Sequence, residues 1–97
     1  MFWMTIDQIE CFHAVVECGS FTKASTELHK AKSAVMYTIK KLEEQLGFEL
    51  FDRAHYRPQV TEKGKAFLLR SSSVLAEMKA LHISTQPDKT HLKHMSL

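Results

Sequence analysis

Val35, Ile39, Leu42 and Leu46 recur at alternating steps of four and three through AKSAVMYTIKKLEEQLG (31–47), and this spacing constrains the fold more than any other feature of the chain. At about 100° per residue the four side chains leave one side of a helix, so that side must be core. The same wheel sends Ser33, Tyr37, Lys40, Lys41 and Glu44 to the opposite side and leaves Met36 at the boundary. Such a helix is held by aliphatic anchors while it offers hydroxyls, an aromatic ring and ammonium groups outward.

The preceding segments read as two further helices. Thr5 stands before IDQIECFHAVVEC with Gln8 three residues later, the spacing of a reciprocal capping box. Ile6, Ile9, Phe12, His13 and Val16 mark the expected buried side of this first helix, and Gly19 stands where a left-handed cap would end it. His13 reads as a packed or half-exposed histidine rather than a ligand or base. Ser20 is placed to cap a shorter helix, FTKASTELH, in which Phe21, Ala24 and Leu28 share a face while Ala24 and Ser25 keep the other side small. Only Lys30 to Lys32 separate it from the helix of the opening motif, so the pair must turn sharply, as a helix-turn-helix does.

After Gly47, FELFDRAHYRPQVTEKG places Phe48, Leu50 and Phe51 before a polar loop and Val60 after it, which predicts two short strands around a wing. Pro58 lacks a backbone donor and is tolerated only at an edge or beside a turn, so the wing should be small. Arg53 and Arg57 flank His55 and Tyr56, a composition suited to phosphate or minor-groove contact and equally to a solvated loop. Thr61 then begins EKGKAFLLRSSSVLAEMKALH, where Phe67, Ser71, Val74, Met78 and Leu81 form a heptad seam widened by Leu68 and Leu75. That stripe suits packing on the domain or on a second subunit, with Ser71, Ser72 and Ser73 weakening its middle. From His82 onward periodicity ceases and Pro87 interrupts, which predicts a disordered tail in which His91 and His94 carry no metal site.

Composition narrows the classes. With 97 residues, 44% of them hydrophobic, the chain holds one domain and one modest core. A formal charge of +2 permits a nucleic-acid partner without demanding one. No apolar run approaches the roughly 20 residues of a membrane span, and MFWMTIDQ does not resemble a signal peptide, so a cytoplasmic chain with no membrane partner is expected. Cys11 and Cys18, about 10 Å apart along one helix, lie beyond disulfide reach and are expected to be reduced. Phosphate-cradling glycine loops, nucleophile elbows and paired carboxylates are missing, and adjacent Glu43 and Glu44 diverge on their helix, so neither an enzyme nor a cofactor or metal is expected.

The ordered set ECFHAVVECGSFTKAS, ELH, SAV with TIKKLEEQLGFELFDR, and VTEKG before a long helix, spanning about residues 5 to 81, resembles the N-terminal DNA-binding region of LysR-type transcriptional regulators. The resemblance implies a mainly α fold: a winged helix-turn-helix over 5–61, with a three-helix core and a two-stranded wing, a linker or dimerisation helix over 62–82, and the tail over 83–97. It implies a sequence-specific regulator whose Lys32, Ser33, Met36 and Tyr37 face base edges in the major groove of double-stranded DNA. Ser20, Thr22 and Lys40 would meet the backbone, and Arg53 and Arg57 would hold flanking DNA. Phe67, Ser71, Val74, Leu75, Met78 and Leu81 would pair two copies, or one copy with a related regulator, into a two-fold dimer reading an inverted repeat.

Departures from the family pattern are informative. Ala31-Lys32 replaces the usual Ser-Gln, and Met36 stands where a serine is frequent. Lys32 would favour guanine acceptors or a phosphate, and Ala31 forgoes a cap worth about 1 kcal/mol. The family normally continues into an effector-binding domain, whereas this chain stops after its tail; it is therefore expected to be a fragment, a truncated gene product or a stand-alone unit without a small-molecule effector. The alternative expectation is a protein-interaction module that dimerises with a full-length relative without productive DNA binding.

Overall fold

The capping residues read from the sequence start the first two helices. In the computed structural model, which describes residues 4–85, α1 (Ile6–Cys18) opens on the Thr5–Gln8 box: Thr5 Oγ1 accepts from the Gln8 amide at 3.1 Å and Gln8 Oε1 from the Thr5 amide at 2.9 Å. Gly19 ends it at φ 74°, a conformation that costs glycine no Cβ clash. Ser20 Oγ accepts from the Lys23 amide at 2.9 Å and caps α2 (Phe21–Glu27). The chain then turns through His29, at φ 56°, and the Lys30 amide closes the turn on the Ser25 carbonyl at 2.9 Å. The helix of the opening motif, α3 (Lys32–Leu46), starts at Ala31 with no side-chain cap.

Val35, Ile39 and Leu42 of α3 are fully buried and Leu46 is half-buried at the edge of the core, as the wheel requires. Each such aliphatic side chain contributes about 1.5 to 3 kcal/mol on burial. They meet Cys11, Phe12 and Val15 of α1 and Phe21 and Ala24 of α2. The Phe12 ring is central, with centroids 5.4 Å from Phe51 and 5.6 Å from Phe67.

Two faces differ from expectation. On α1 the buried residues are Ile9, Cys11, Phe12 and Val15, whereas Ile6, His13 and Val16 are only half-buried. Helices pack on α1 from more than one side, so its buried arc extends past the stripe and takes in Cys11, whose Sγ lies 4.0 Å from the Val35 carbonyl oxygen. On α2, Ser25 is buried, its hydroxyl satisfied by donation to the Thr22 carbonyl at 2.7 Å.

The wing consists of β1 (Phe51–Asp52) antiparallel to β2 (Gln59–Val60), with Phe51 opposite Val60 and Asp52 opposite Gln59. It is as small as Pro58, just before β2, suggested. Leu50 and Phe51 enter the core. The last helix, α4 (Glu62–Thr85), begins beside Thr61, whose Oγ1 accepts from the Gly64 amide at 2.9 Å. Phe67 and the buried Ser71 hold it to the domain; beyond them Val74, Met78 and Leu81 are exposed. The helix continues past the expected end at 82, because loss of apolar periodicity marks loss of burial and not of helical backbone. Ser84 and Thr85 hydroxyls bond back to the Leu81 carbonyl at 3.1 and 2.8 Å. Residues 86–97 of the expected tail, with His91 and His94, lie outside the described residues.

Candidate nucleic-acid interface

Three elements that are separate in sequence converge on one open cleft. The start of α2 supplies Ser20, Phe21, Thr22 and Lys23, and the first turns of α3 supply Lys32 and Met36. The wing closes the third side with Tyr56, Arg57 and Pro58. Lys23, Lys32 and Arg57 give this cleft three cations, and among the described residues no carboxylate lines it. Three cations thus stand together where an anionic ligand would meet them.

Of the residues expected to contact DNA, Ser20, Thr22, Lys32, Met36 and Arg57 come together here. Ser33 and Tyr37 are exposed on the outer face of α3 without lining the cleft. Lys40 and Arg53 line a different hollow, at the carboxyl end of α3. Lys23 and Tyr56 belong to the cleft although the sequence reading did not assign them contacts, and the Tyr56 side chain is wholly exposed. Tyr56 had a signal in its place between two arginines; Lys23 had only its adjacency to Thr22.

Glu43 was the least legible residue. It is buried, with Oε2 accepting from the amides of Leu50 and Phe51 at 2.7 and 3.2 Å and Oε1 from Arg53 Nη2 at 3.2 Å. Its position four residues after Ile39 puts it on the apolar side of α3, the one clue that it is not a solvated glutamate.

The seam on α4 is divided. Phe67 and Ser71 face the chain's own domain, Leu75 is half-buried in a groove against α1, and Val74, Met78 and Leu81 line an apolar surface patch. Burial pushes the Cys11 thiol up, against the lowering effect of Lys30, and so keeps it a packed thiol; both cysteines are free. Among the described residues no group of three or more His, Cys, Asp and Glu side chains is placed to hold a metal ion, and no helix is long and apolar enough to cross a membrane.

A short wing packed beside a helix-turn-helix, with the cationic cleft between them, defines a winged helix-turn-helix protein. The family model described as bacterial regulatory helix-turn-helix protein, lysR family, matches residues 6–65, and the chain belongs to that family. It is 43% identical over 72 residues to a probable RuBisCO transcriptional regulator of Cyanidioschyzon merolae, covering 74% of this chain and 24% of the relative. It is also 43% identical over 70 residues to the HTH-type transcriptional regulator PunR of Escherichia coli (strain K12), covering 72% of this chain and 23% of that protein. The chain spans about a quarter of the length of these relatives, which are named as transcriptional regulators and not as enzymes. In the crystal structure of the BenM_DBD/benA site 1 DNA complex, a chain of 32% identity superposes with a TM-score of 0.82, covering 84% of this chain and 92% of that one.

Proposed function

We propose that this chain binds double-stranded DNA in a sequence-dependent way, as the reading unit of a transcription regulator. The observation that carries this reading is the cleft in which Lys32 and Met36 of α3, Ser20 to Lys23 at the start of α2, and Arg57 of the wing surround one space that no acidic group among the described residues lines. The amino-terminal half of α3 enters the major groove, with Lys32, Ser33, Met36 and Tyr37 toward base edges. Ser20 and Thr22, joined by Lys23, lie against the phosphates, where the Ser20 hydroxyl still has its proton to donate while its oxygen caps α2. Arg57 and Tyr56 hold flanking DNA. Two chains pair through the exposed Val74, Met78 and Leu81 of α4, which places two reading helices on one duplex.

Binding to random-sequence duplexes at low and moderate salt, with sequencing of the bound fraction, tests this. An enriched inverted repeat with two spaced half-sites is the expected result, and weak salt-sensitive binding without enrichment would sink sequence-dependent reading.

The apolar patch on α4 favours a second reading, in which the chain pairs with a related regulator and modulates it by mass action. That role requires Val74, Met78 and Leu81 but not Lys32 or Arg57, so an Arg57→Ala variant that still forms mixed dimers and still alters the relative's binding would favour it.

A further inference from the structure

Arg53 follows β1 directly, yet it does not line the cleft that Arg57 lines. It lies in the hollow at the carboxyl end of α3, among the carboxylates of Glu43, Glu44 and Glu49 and the ammonium of Lys40. Three carboxylates against two cations make that hollow a poor place for a phosphate, since each like charge within a Debye length opposes its approach.

The guanidinium is already committed to the protein. Its Nη2 donates to Glu43 Oε1 at 3.2 Å, and the Glu43 side chain is only 8% exposed against 41% for Arg53. A carboxylate buried to that degree needs its donors, and the other two are the amides of Leu50 and Phe51 that lead into β1. The Arg53 Cζ also stands 5.9 Å from the centroid of the Phe21 ring. Phe21 is the first residue of α2 and itself lines the cleft. Arg53 therefore touches α3 through Glu43, belongs to the wing by its backbone, and touches the start of α2 through Phe21.

We infer that Arg53 is a positioning residue: it sets the wing and the start of α2 against α3, so that Arg57 and Thr22 face one duplex, and it holds no phosphate itself. The inference rests on the DNA-binding reading above, and it is separable from it because the positions of Thr22 and Arg57 can be read in the free protein.

The whole chain and its Arg53→Gln, Arg53→Lys and Arg57→Gln variants are compared by amide resonances without DNA and by affinity for mixed-sequence duplex DNA across a salt series, at a temperature where all are folded. In Arg53→Gln the amides of Phe21, Thr22, Tyr56 and Arg57 should shift. Affinity should fall about tenfold, a typical loss for one coupled contact, with the slope of log affinity against log salt unchanged. Arg53→Lys should restore affinity only in part, because an ammonium cannot donate to Glu43 and lie over Phe21 in the same planar geometry. Arg57→Gln should lower the slope by about one.

A slope lowered by about one in Arg53→Gln makes Arg53 a phosphate ligand and overturns the inference. Unshifted amides at Thr22 and Arg57, or wild-type affinity in a variant that merely melts earlier, overturn it as well. Should the wild-type chain bind no duplex, the DNA reading fails by itself, and the amide shifts of Arg53→Gln then decide the positioning role.

Discussion

Nε2 of His13 on α1 stands 2.7 Å from Oγ of Ser71 on α4, and this pair joins the long helix to the three-helix core. The imidazole packs edge-on against the Phe12 ring at 5.6 Å, within a groove that also holds Glu10 and Glu17 of α1 and Lys79 and His82 of α4. Ser71, expected in an intermolecular seam, is spent on this intramolecular contact.

Burial holds the His13 pKa below its ordinary value, and Glu17 opposes that shift in part. The unfolded chain therefore takes up this proton at a higher pH than the folded one. The contribution of neutral His13 to stability is fully present above the ordinary value of about 6.5 and is lost as pH falls through the folded pKa. Between about pH 7 and pH 5 the melting temperature should drop more in the wild type than in His13→Gln. Parallel curves for the two proteins would remove His13 from the account.

Leu42 is fully buried between α3 and the rest of the core. Leu42→Ala should cost about 2 to 5 kcal/mol, through lost transfer energy and the cavity left behind. Urea unfolding measures it, and a midpoint equal to that of the wild type would contradict the placement of the α3 face.

Gly64, in the first turn of α4, is buried against the wing. A Cβ built there would meet the Leu50 carbonyl oxygen at 2.5 Å and Val60 Cγ1 at 2.8 Å. In an exposed helix Gly→Ala stabilises by about 1 kcal/mol; here Gly64→Ala should instead destabilise by about 1 to 3 kcal/mol, since backbone must move to admit the methyl group. A higher melting temperature for Gly64→Ala would show that α4 does not sit this close to the wing.

Val74 and Leu81 are 46% and 59% exposed. Changing both to Glu should shift the chain toward monomer in sedimentation equilibrium while leaving its unfolding free energy, measured at a concentration where the wild type is monomeric, within about 0.5 kcal/mol of unchanged. An unaltered dimer fraction would place the pairing surface elsewhere.

Local periodicity and capping chemistry made much of this fold readable. The capping box of Thr5 and Gln8, the cap at Ser20, the left-handed glycine at residue 19, and the face of Val35, Ile39 and Leu42 are each set by residues within a few positions of one another. Backbone geometry repeats every few residues, so one chain without its partners already states which side of α3 must be covered. Arg57 was legible as a contact candidate from the wing's composition, whereas Lys32 and Met36 became candidates through the resemblance to the family's reading helix.

What the wheel lacks is knowledge of what covers a face. The wheel puts Glu43 on the buried side of α3, but only the fold brings the amides of Leu50 and Phe51 to satisfy it there and turns Arg53 from the cleft toward that carboxylate. His13 meets a serine 58 residues away, which divides a heptad seam that looks continuous in the sequence. The sequence by itself determined the helices, their caps, the turn between α2 and α3 and the small wing. Only the tertiary structure decided which polar groups are consumed within the fold and which stay available to a partner, because a buried charge or hydroxyl must be satisfied by whatever packing brings beside it, however distant in the chain.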